Sequence, residues 1–531
     1  MSDAIPIPPG PALEHYETQA ETLLEACRAS DSAAIRAWTK QWSKLWPDTG
    51  FIARRLREAD IRRLADAQLF LARIHDFESW ATFAKHIESP DAAFEAAADA
   101  IASGDIDTLR RLLQEDPGLI RRRSSRIERS TLLHYVSANG IEDFRQKTPA
   151  NIVEIATLLL DAGAGVNAES DAYAGRSTTL GLVATSAHPR EAGLQIPLLE
   201  LLLERGAAID EGILRACLAN GCPEAAEFLA SRGAKLDLEG AAGLGRLDVV
   251  QRLAPSAAKE EREASLRLAS GYGRHDVVEH LLESGVDPTA TSGDGMTALH
   301  WAANGADVDI VKLLLAHNVP LEVRNVYGGT VLGQAVWAAL NEPRPDHLKV
   351  IEMLLAAGAK AGEDWFTGRP EIDAALQRRP ADAPPLTVDV ARAVELMREA
   401  NRARHEERRD DAMRIAAEAI ALLRQADEPL RLAHTIRHLA DMHQEAGQPQ
   451  LAEPLYDEAI AIYRGNECTP PLDLANAIRG LAELKDDERL WQEAHDLYVA
   501  TNVPPGVAET ARRLAEHARR RGVTDSSSPS R

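Results

Sequence analysis

Histidines are the side chains of this sequence whose spacing comes nearest to a metal-binding pattern. His434 and His438 are four positions apart, so on a helix both imidazoles lie on one face and could chelate a metal ion. Three more polar residues follow closely, namely Asp441, His443 and Glu445. Whether His443 can join the first two depends on the register of the helices around it.

A second pair of histidines, His134 and His300, could serve in acid–base chemistry. Each stands three positions after a threonine, in the phrase Thr-x-Leu-His, and no carboxylate recurs at a fixed distance from them. The sequence also has no phosphate-binding loop, no Gly-x-Gly-x-x-Gly after a strand, no Gly-x-Ser-x-Gly and no His-Glu-x-x-His motif. We therefore predict no catalytic residue and no cofactor.

The composition is that of a globular protein with a strong acidic excess. Of 531 residues, 60 are Lys or Arg and 82 are Asp or Glu, and the net charge of −22 disfavours nucleic acid or an anionic membrane as a partner. The N-terminus has no signal-peptide pattern, and the most apolar stretch, residues 197–203, is too short to span a bilayer. The four cysteines include no Cys-x-x-Cys. We expect a cytoplasmic protein.

Much of the chain repeats one phrase, in which two leucines and two variable residues precede Gly-Ala. Clear copies end at Ala164 and Ala207, and the spacing between copies is about 33 residues with insertions and deletions. The best unit covers 293–315 and contains Thr-Ala-Leu-His-Trp-Ala-Ala at 297–303. It resembles the ankyrin repeat, whose signature is Thr-Pro-Leu-His-x-Ala-Ala followed by a leucine-rich second helix. About eight such units fit between residues 92 and 360.

This resemblance implies helix pairs that stack into a solenoid, because one pair cannot bury its own apolar face. It also implies that His134 and His300 are structural, since this histidine hydrogen-bonds across neighbouring turns in ankyrin repeats. The residue after the histidine and the residues at the turn tips are expected to line a concave binding surface. The predicted partner-binding residues on it are Tyr135, Trp301, Asn304, Tyr327 and Trp337. The alternative is that Trp301 or Trp337 packs against an insertion loop.

Three insertions interrupt the repeats between the first and second helices of a pair. They lie near 141–151, 187–196 and 341–347. All three are expected on the edge opposite the turn tips, as a second recognition surface or as tolerated loops.

The C-terminal third has a different spacing. After a proline-rich stretch at 379–385, the segment 452–460 (Ala-Glu-Pro-Leu-Tyr-Asp-Glu-Ala-Ile) resembles the tetratricopeptide repeats of kinesin light chains. Matching alanines at 412, 452 and 494 are 40 and 42 residues apart, which suits that long variant. A last helix is expected at 507–521.

The second resemblance implies an inner groove lined by the first helix of each pair. Counting from Leu439 places five basic residues towards it: Arg398, Arg437, His438, Arg479 and Arg512. Arginines on a rigid groove suit an acidic peptide, although Asp441 and Glu483 would neutralise part of the charge, and a solvated helix face is the alternative. In this register His443 is packed and points away from His434, so we predict no metal site.

The first 90 residues read as helices at 13–27, 33–45, 61–74 and 77–87. Phe77, Trp80, Phe83 and Ile87 share one face of the last of these, which we expect to seal the end of the repeats. The predicted segments are 1–90, an N-terminal helical cap; 91–365, the ankyrin array; 366–388, a linker with a capping helix; 389–522, the tetratricopeptide-like repeats; and 523–531, a disordered tail.

The sequence thus predicts an all-α protein with an ankyrin solenoid and a tetratricopeptide-like α-solenoid. The function that both resemblances imply is a non-catalytic scaffold or adaptor for other proteins. Two alternatives stay open. One is an enzyme with a site in the N-terminal region or the insertions, around His188 or Glu191, and the other is a homo-oligomer in which one array binds the other.

Overall fold

A computed structural model describes the protein at residues 4–7, 12–29, 32–42, 52, 55–56, 59, 61–88, 91–361, 367, 369–376, 387–406, 408–467, 469–501 and 503–525. The chain forms two compact units, Met1–Val249 and Val250–Arg531. The division lies inside the segment 91–365 that the sequence predicts as one array. Of the tail predicted as disordered, residues 526–531 lie outside the described part, and 523–525 end a helix.

The first unit begins with four helices: α1 Leu13–Arg28, α2 Ser32–Gln41, α3 Leu64–Ile74 and α4 Trp80–Glu88. Helix α1 packs against each of the other three, around a core rich in aromatic rings. In that core the imidazole of His75 stacks on Phe83 with ring centroids 5.3 Å apart. These helices match the predicted ones, except that Phe77 precedes α4 and that 43–45 lie outside the described residues.

The rest of the first unit consists of short helices joined by tight turns. The α-helices are α5 Ala92–Ser103, α6 Ile106–Glu115, α7 Ile152–Asp161, α8 Thr179–Ala184, α9 Ala187–Glu191, α10 Gln195–Glu204, α11 Ile213–Ala219, α12 Pro223–Ser231, α13 Leu238–Leu244 and α14 Leu247–Leu253. The 3-10 helices are Pro117–Arg121, Leu132–Ser137, Asp143–Arg145 and Ala172–Ala174. Strands β1 Glu169–Ser170 and β2 Ser177–Thr178 pair antiparallel.

These helices pack in two series. Helix α5 contacts the 3-10 helix Leu132–Ser137, which contacts α8, and α8 and α13 each contact α11. In the other series α10 contacts both α7 and α12. The chain passes from one series to the other at turns such as Gly104–Asp105, where Gly104 has a φ of +81° and the Asp105 carboxylate accepts a hydrogen bond from the Thr108 N–H at the start of α6.

The second unit repeats the pattern. Its helices before residue 377 are α15 Lys259–Gly271, α16 His275–Glu283, α17 Ala298–Asn304, α18 Val308–Ala316, α19 Val331–Asn341, α20 His347–Ala356 and α21 Pro370–Leu376, with a 3-10 helix at Ala254–Ser256. Helix α17 packs between α15 and α19, and α18 packs between α16 and α20. The leucines of the repeated phrase lie in these contacts, since Leu281, Leu299 and Leu314 have no exposed surface.

Polar caps define where these helices begin and end. The hydroxyl of Thr297 accepts a hydrogen bond from the His300 N–H, and the hydroxyl of Thr330 does the same for the Gly333 N–H. The equivalent cap of α8 is Thr178, whose hydroxyl accepts a hydrogen bond from the Gly181 N–H. After α18, Asn318 has a φ of +53°, a conformation that asparagine tolerates.

Seven long helices follow in the second unit: α22 Val388–His405, α23 Arg409–Leu423, α24 Pro429–Glu445, α25 Pro449–Arg464, α26 Pro471–Lys485, α27 Glu488–Ala500 and α28 Pro504–Asp525. Each packs against the next in sequence. The matching alanines 412, 452 and 494 are all buried in these contacts. Small residues let neighbouring helices pack closely. At Gly480 of α26, for example, a Cβ atom would stand only 2.5 Å from Cζ of Tyr456 on α25.

Candidate partner-binding surfaces

The turn tip between α18 and α19 presents a tyrosine to solvent. Tyr327 is 89% exposed. The tip that carries it is held by the buried side chain of Asn325, whose Oδ1 accepts hydrogen bonds from the N–H groups of Tyr327 (3.0 Å) and Gly329 (2.9 Å). The Nδ2 of Asn325 donates to Oε1 of Gln334 at 3.2 Å, which ties the tip to α19. The Tyr327 ring is therefore exposed to solvent, while the hydrogen bonds of Asn325 hold the backbone that carries it.

The first helices of the same two repeats carry the other predicted residues. Trp337 on α19 is 48% exposed, and Leu340, one turn further, is 39% exposed. Asn304 on α17 is half-buried and accepts a hydrogen bond from Nε2 of Gln334 at 2.7 Å. We call Tyr327, Trp337 and Leu340 the aromatic patch. Trp337 and Leu340 are three positions apart and share one face of α19, while Tyr327 is on the tip before that helix. Large apolar side chains exposed together on a helix face are typical of interaction surfaces.

Trp301 is only half-buried, but much of its ring is used for packing. A Cβ at Gly271, the last residue of α15, would stand 3.1 Å from Cε3 of Trp301, so the indole lies against the glycine backbone. Trp301 therefore packs against the helix of the preceding repeat.

Tyr135 does not lie at a surface. It is 1% exposed, its hydroxyl donates to Oε1 of Glu142 at 3.0 Å, and its ring packs edge-on against Phe94. The reason is the insertion at 141–151, whose first residues fold over the position that would be open in a repeat without it. Tyr135 is thus a core residue and is not accessible to a partner, unlike the other residues predicted for this surface.

The same insertion completes a buried charged cluster in the first unit, which the sequence did not reveal. Arg126, Glu142 and Arg145 are 3%, 1% and 4% exposed. Glu142 Oε1 lies 2.5 Å from Nε of Arg126 and 3.5 Å from Nη1 of Arg145. Glu95 on α5 accepts from both arginines, at 3.3 and 2.8 Å. Burial lowers the pKa of Arg126, but Glu142 and Glu95 outweigh it and hold that pKa above its usual value.

This cluster also fastens the four N-terminal helices to the part of the first unit that follows them. Nη1 of Arg126 donates to the carbonyl of His75 at 2.7 Å, its guanidinium lies 5.1 Å from the centre of the Phe77 ring, and the Ile127 N–H donates to the carbonyl of Asp76 at 3.1 Å. Burial lowers the pKa of His75 to about 3 and, together with a hydrogen bond to Glu128, raises the pKa of Asp76 to about 9. Both side chains are therefore neutral near pH 7, which suits their burial.

His134 and His300 make the same contact at the start of two different helices. Nδ1 of each accepts a hydrogen bond from the N–H of the capping threonine, at 3.1 Å from Thr131 and 3.2 Å from Thr297. Neither has exposed surface, and burial lowers the pKa of each to about 4. Each histidine thus links a helix start to its own cap. Nε2 of His134 also donates to the carbonyl of Ala168 at 3.0 Å, which is a contact between neighbouring turns of the kind that the resemblance implies.

Two of the arginines predicted to line a C-terminal groove form ion pairs. On α24, Nη1 of Arg437 donates to Asp441 at 2.9 Å, and Asp441 also accepts from the hydroxyl of Tyr456 at 2.6 Å. On α26, Arg479 lies 3.9 Å from Glu483 and 3.8 Å from Glu509. The predicted neutralisation is therefore found at both arginines. Arg398 on α22 and Arg512 on α28 are half-buried.

His434 and His438 do come together, whereas His443 does not join them. Their Nε2 atoms are 3.1 Å apart, while Nδ1 of His443 bonds Oε1 of Gln448 at 2.7 Å. Nη2 of Arg437 donates to Nε2 of His438 at 3.0 Å, which places a fixed positive charge beside the pair. Among the described residues no group of three or more His, Cys, Asp or Glu side chains could hold a metal ion.

The three insertions each reach a turn between two consecutive helices. Nδ2 of Asn151 donates to the Gly104 carbonyl at 2.9 Å, Arg190 donates to the Gly221 carbonyl, and Nη1 of Arg344 donates to the Gly305 carbonyl at 3.0 Å. This shared contact places them at inter-helix turns, as predicted. His188 on α9 is exposed, and Glu191 accepts from its neighbour Arg190 at 3.4 Å.

Comparison with known proteins identifies one part of the chain. Residues 266–363 match the family model for ankyrin repeats, in three copies. The protein therefore contains ankyrin repeats, and the aromatic patch lies within them. Protein PhlB of Serratia liquefaciens is 46% identical over 63 residues, which are 12% of this chain and 28% of the length of that relative. The helices of the described residues include none that is long and apolar enough to cross a membrane.

Proposed function

We propose that this protein is a non-catalytic scaffold or adaptor that binds other proteins through its ankyrin repeats. The observation that carries the proposal is the aromatic patch. Tyr327 exposes 89% of its surface and Trp337 exposes 48%, and both lie within the matched repeats. Tyr327 is on the turn tip and Trp337 is on α19, and the hydrogen bond from Asn325 to Gln334 connects the two elements. Tyrosine and tryptophan are the residues that most often dominate binding energy at protein interfaces.

The wider array is part of the same proposal. Within each unit, the helices from α5 to α13 and from α15 to α20 pack in the manner of the matched repeats, which supports ankyrin repeats over 91–365. The buried alanines at 412, 452 and 494 support tetratricopeptide-like repeats over 389–522, with a groove for an acidic peptide. Because Arg437 and Arg479 are already paired with carboxylates, we regard this groove as the secondary binding surface. The cytoplasmic location stays a prediction.

Affinity capture from the native cell extract tests the primary surface. The wild-type chain is compared with Tyr327→Ala/Trp337→Ala and with Leu451→Ala/Val499→Ala, a control that removes two side chains 47% and 54% exposed on α25 and α27. We expect a protein that is retained by the wild type and the control and lost with the first variant. Equal retention by all three would contradict the proposal, as would a captured mass that light scattering assigns to copies of this chain alone.

A further inference from the structure

We propose that the surface around the aromatic patch binds a basic segment of the partner protein, with cationic side chains on the ring of Tyr327 and beside the carboxylate of Asp294. This inference rests on the proposed function and specifies the chemistry of the partner. Asp294 and Tyr327 occupy the same place in successive repeats. Each stands three positions before the threonine that caps the next helix and directly before a glycine with positive φ, which is +78° at Gly295 and +79° at Gly328.

The two turn tips that carry these residues have the same backbone structure. The Ser292 N–H donates to the Met296 carbonyl at 3.0 Å, and the Asn325 N–H donates to the Gly329 carbonyl at 2.9 Å. The same hydrogen bond therefore closes both tips. Because the backbones are equivalent, the side chains at equivalent positions of the two tips leave the backbone in the same way.

The two tips are also in direct contact. The Val326 N–H donates to the Asp294 carbonyl at 2.8 Å. A Cβ at Gly295 would stand 2.9 Å from Cα of Asn325, so the backbone of one tip packs on the backbone of the other. Tyr327 directly follows Val326. A peptide segment that covers the Tyr327 ring therefore also meets the tip that carries Asp294.

The groups that hold the carboxylate of Asp294 do not offset its negative charge. Asp294 is exposed, and its carboxylate accepts hydrogen bonds from the Ser292 hydroxyl and, at 3.3 Å, from the Met296 N–H, both of which are neutral donors. The basic residue of the neighbouring tip is Arg324. It is half-buried, and its Nη1 donates to the Gly328 carbonyl of its own tip at 2.7 Å.

Tyr327 provides a second group that attracts a cation. The face of an aromatic ring is electronegative and binds ammonium and guanidinium groups, and arginine in particular stacks on it. With 89% of its surface exposed, Tyr327 is open to such a side chain, and Trp337 and Leu340 offer apolar contacts on α19. The net charge of −22 attracts basic partners at long range. A segment with both basic and apolar side chains is therefore complementary to this surface.

Fluorescence anisotropy with the full-length chain tests the inference. The probes are labelled hexapeptides with blocked ends, in which leucine alternates with arginine, glutamine or glutamate, in about 0.15 M salt. We expect the lowest Kd for the arginine probe. Asp294→Asn should raise that Kd by about two- to fivefold and leave the glutamine probe unchanged. Asp276→Asn is the matched control, because it removes the same charge from a side chain 84% exposed on α16, and it should change neither value.

A second variant tests the aromatic ring. Tyr327→Leu keeps an apolar side chain but removes the ring face, so it should raise the Kd of the arginine probe by about two- to fivefold and that of the glutamine probe by less. Asparagine at 294 retains an oxygen that can accept from the Ser292 hydroxyl and the Met296 N–H, so the tip should keep its structure. Thermal melting of each variant confirms that it folds.

Three results would overturn the inference. Equal losses for Asp294→Asn and Asp276→Asn would assign the binding to net charge alone. An arginine probe that binds no more tightly than the glutamine probe would remove the preference for a basic segment, while loss of the glutamine probe in Tyr327→Ala/Trp337→Ala would still support the proposed function. If no probe binds the wild type, the inference is wrong, and the capture experiment, which uses no peptide, tests the proposed function independently.

Discussion

At the scale of single residues, the contrast between buried and exposed charges is the feature with the clearest consequences. Arg126 and Glu142 are almost without solvent contact, whereas Arg111 and Glu115 on α6 form an ion pair with 58% and 59% exposed side chains. Coulomb attraction between exposed groups is screened by water and salt. A buried charge that loses its partner has no water to compensate it. Removing the arginine of the buried pair should therefore lower the free energy of unfolding much more than removing the arginine of the exposed pair.

Replacing Arg126 with methionine should lower the free energy of unfolding by about 3–5 kcal/mol, because it leaves Glu142 and Glu95 buried with one arginine between them. Urea denaturation followed by circular dichroism measures this loss. Arg111→Met serves as the control and should change the value by no more than about 0.5 kcal/mol. A loss for Arg126→Met as small as that of the control would mean that the cluster does not fasten the N-terminal helices.

At the scale of elements, the threonine–histidine cap makes the stability of the folded chain depend on the protonation of one side chain. His134 and His300 have pKa values near 4 in the folded chain, because burial disfavours their charged form. An unfolded histidine titrates near 6.5. Between these values the unfolded chain binds a proton that the folded chain does not bind. The folded state therefore loses stability as the pH falls from about 6.5 to about 4, and the full stability is present above about 6.5.

Replacing both histidines with glutamine tests this sign. Glutamine can make the same reciprocal cap with threonine but does not titrate. The stability of His134→Gln/His300→Gln should decline less steeply than that of the wild type, by about 1.4 kcal/mol per pH unit for each histidine removed. Urea midpoints between about pH 4 and pH 6.5 measure the slope. An equal slope in the variant and the wild type would refute the assignment.

The elements were more predictable from the sequence than their side-chain surroundings. The Thr-x-Leu-His phrase at 297–300 and the leucine spacing identify helix pairs because caps and core residues recur locally. They also identified Tyr327 and Trp337, which the structure leaves exposed. The cluster around Arg126 could not be found in this way, because Glu95, Arg126 and Glu142 are separated by many positions and meet only in three dimensions. Tyr135 was misplaced for the same reason, since an insertion covers it.

At the scale of the whole molecule, the two compact units and the acidic excess set the conditions for binding. The aromatic patch and the α24 histidine pair both lie in the unit Val250–Arg531, and the charged cluster lies in Met1–Val249. A net charge of −22 repels acidic partners at long range. An apolar patch depends less on this charge, which is a further reason to place the primary interaction on the ankyrin repeats.

The most direct test of that claim is photo-crosslinking in the native cell. A photoreactive phenylalanine analogue is introduced in place of Tyr327, Trp337 or Leu451, one at a time, and the products are identified by mass spectrometry. The account predicts that positions 327 and 337 both crosslink to the same second protein and that position 451, which is 47% exposed on α25, does not. Crosslinks from 327 and 337 only to further copies of this chain, or equal yields at all three positions, would contradict it.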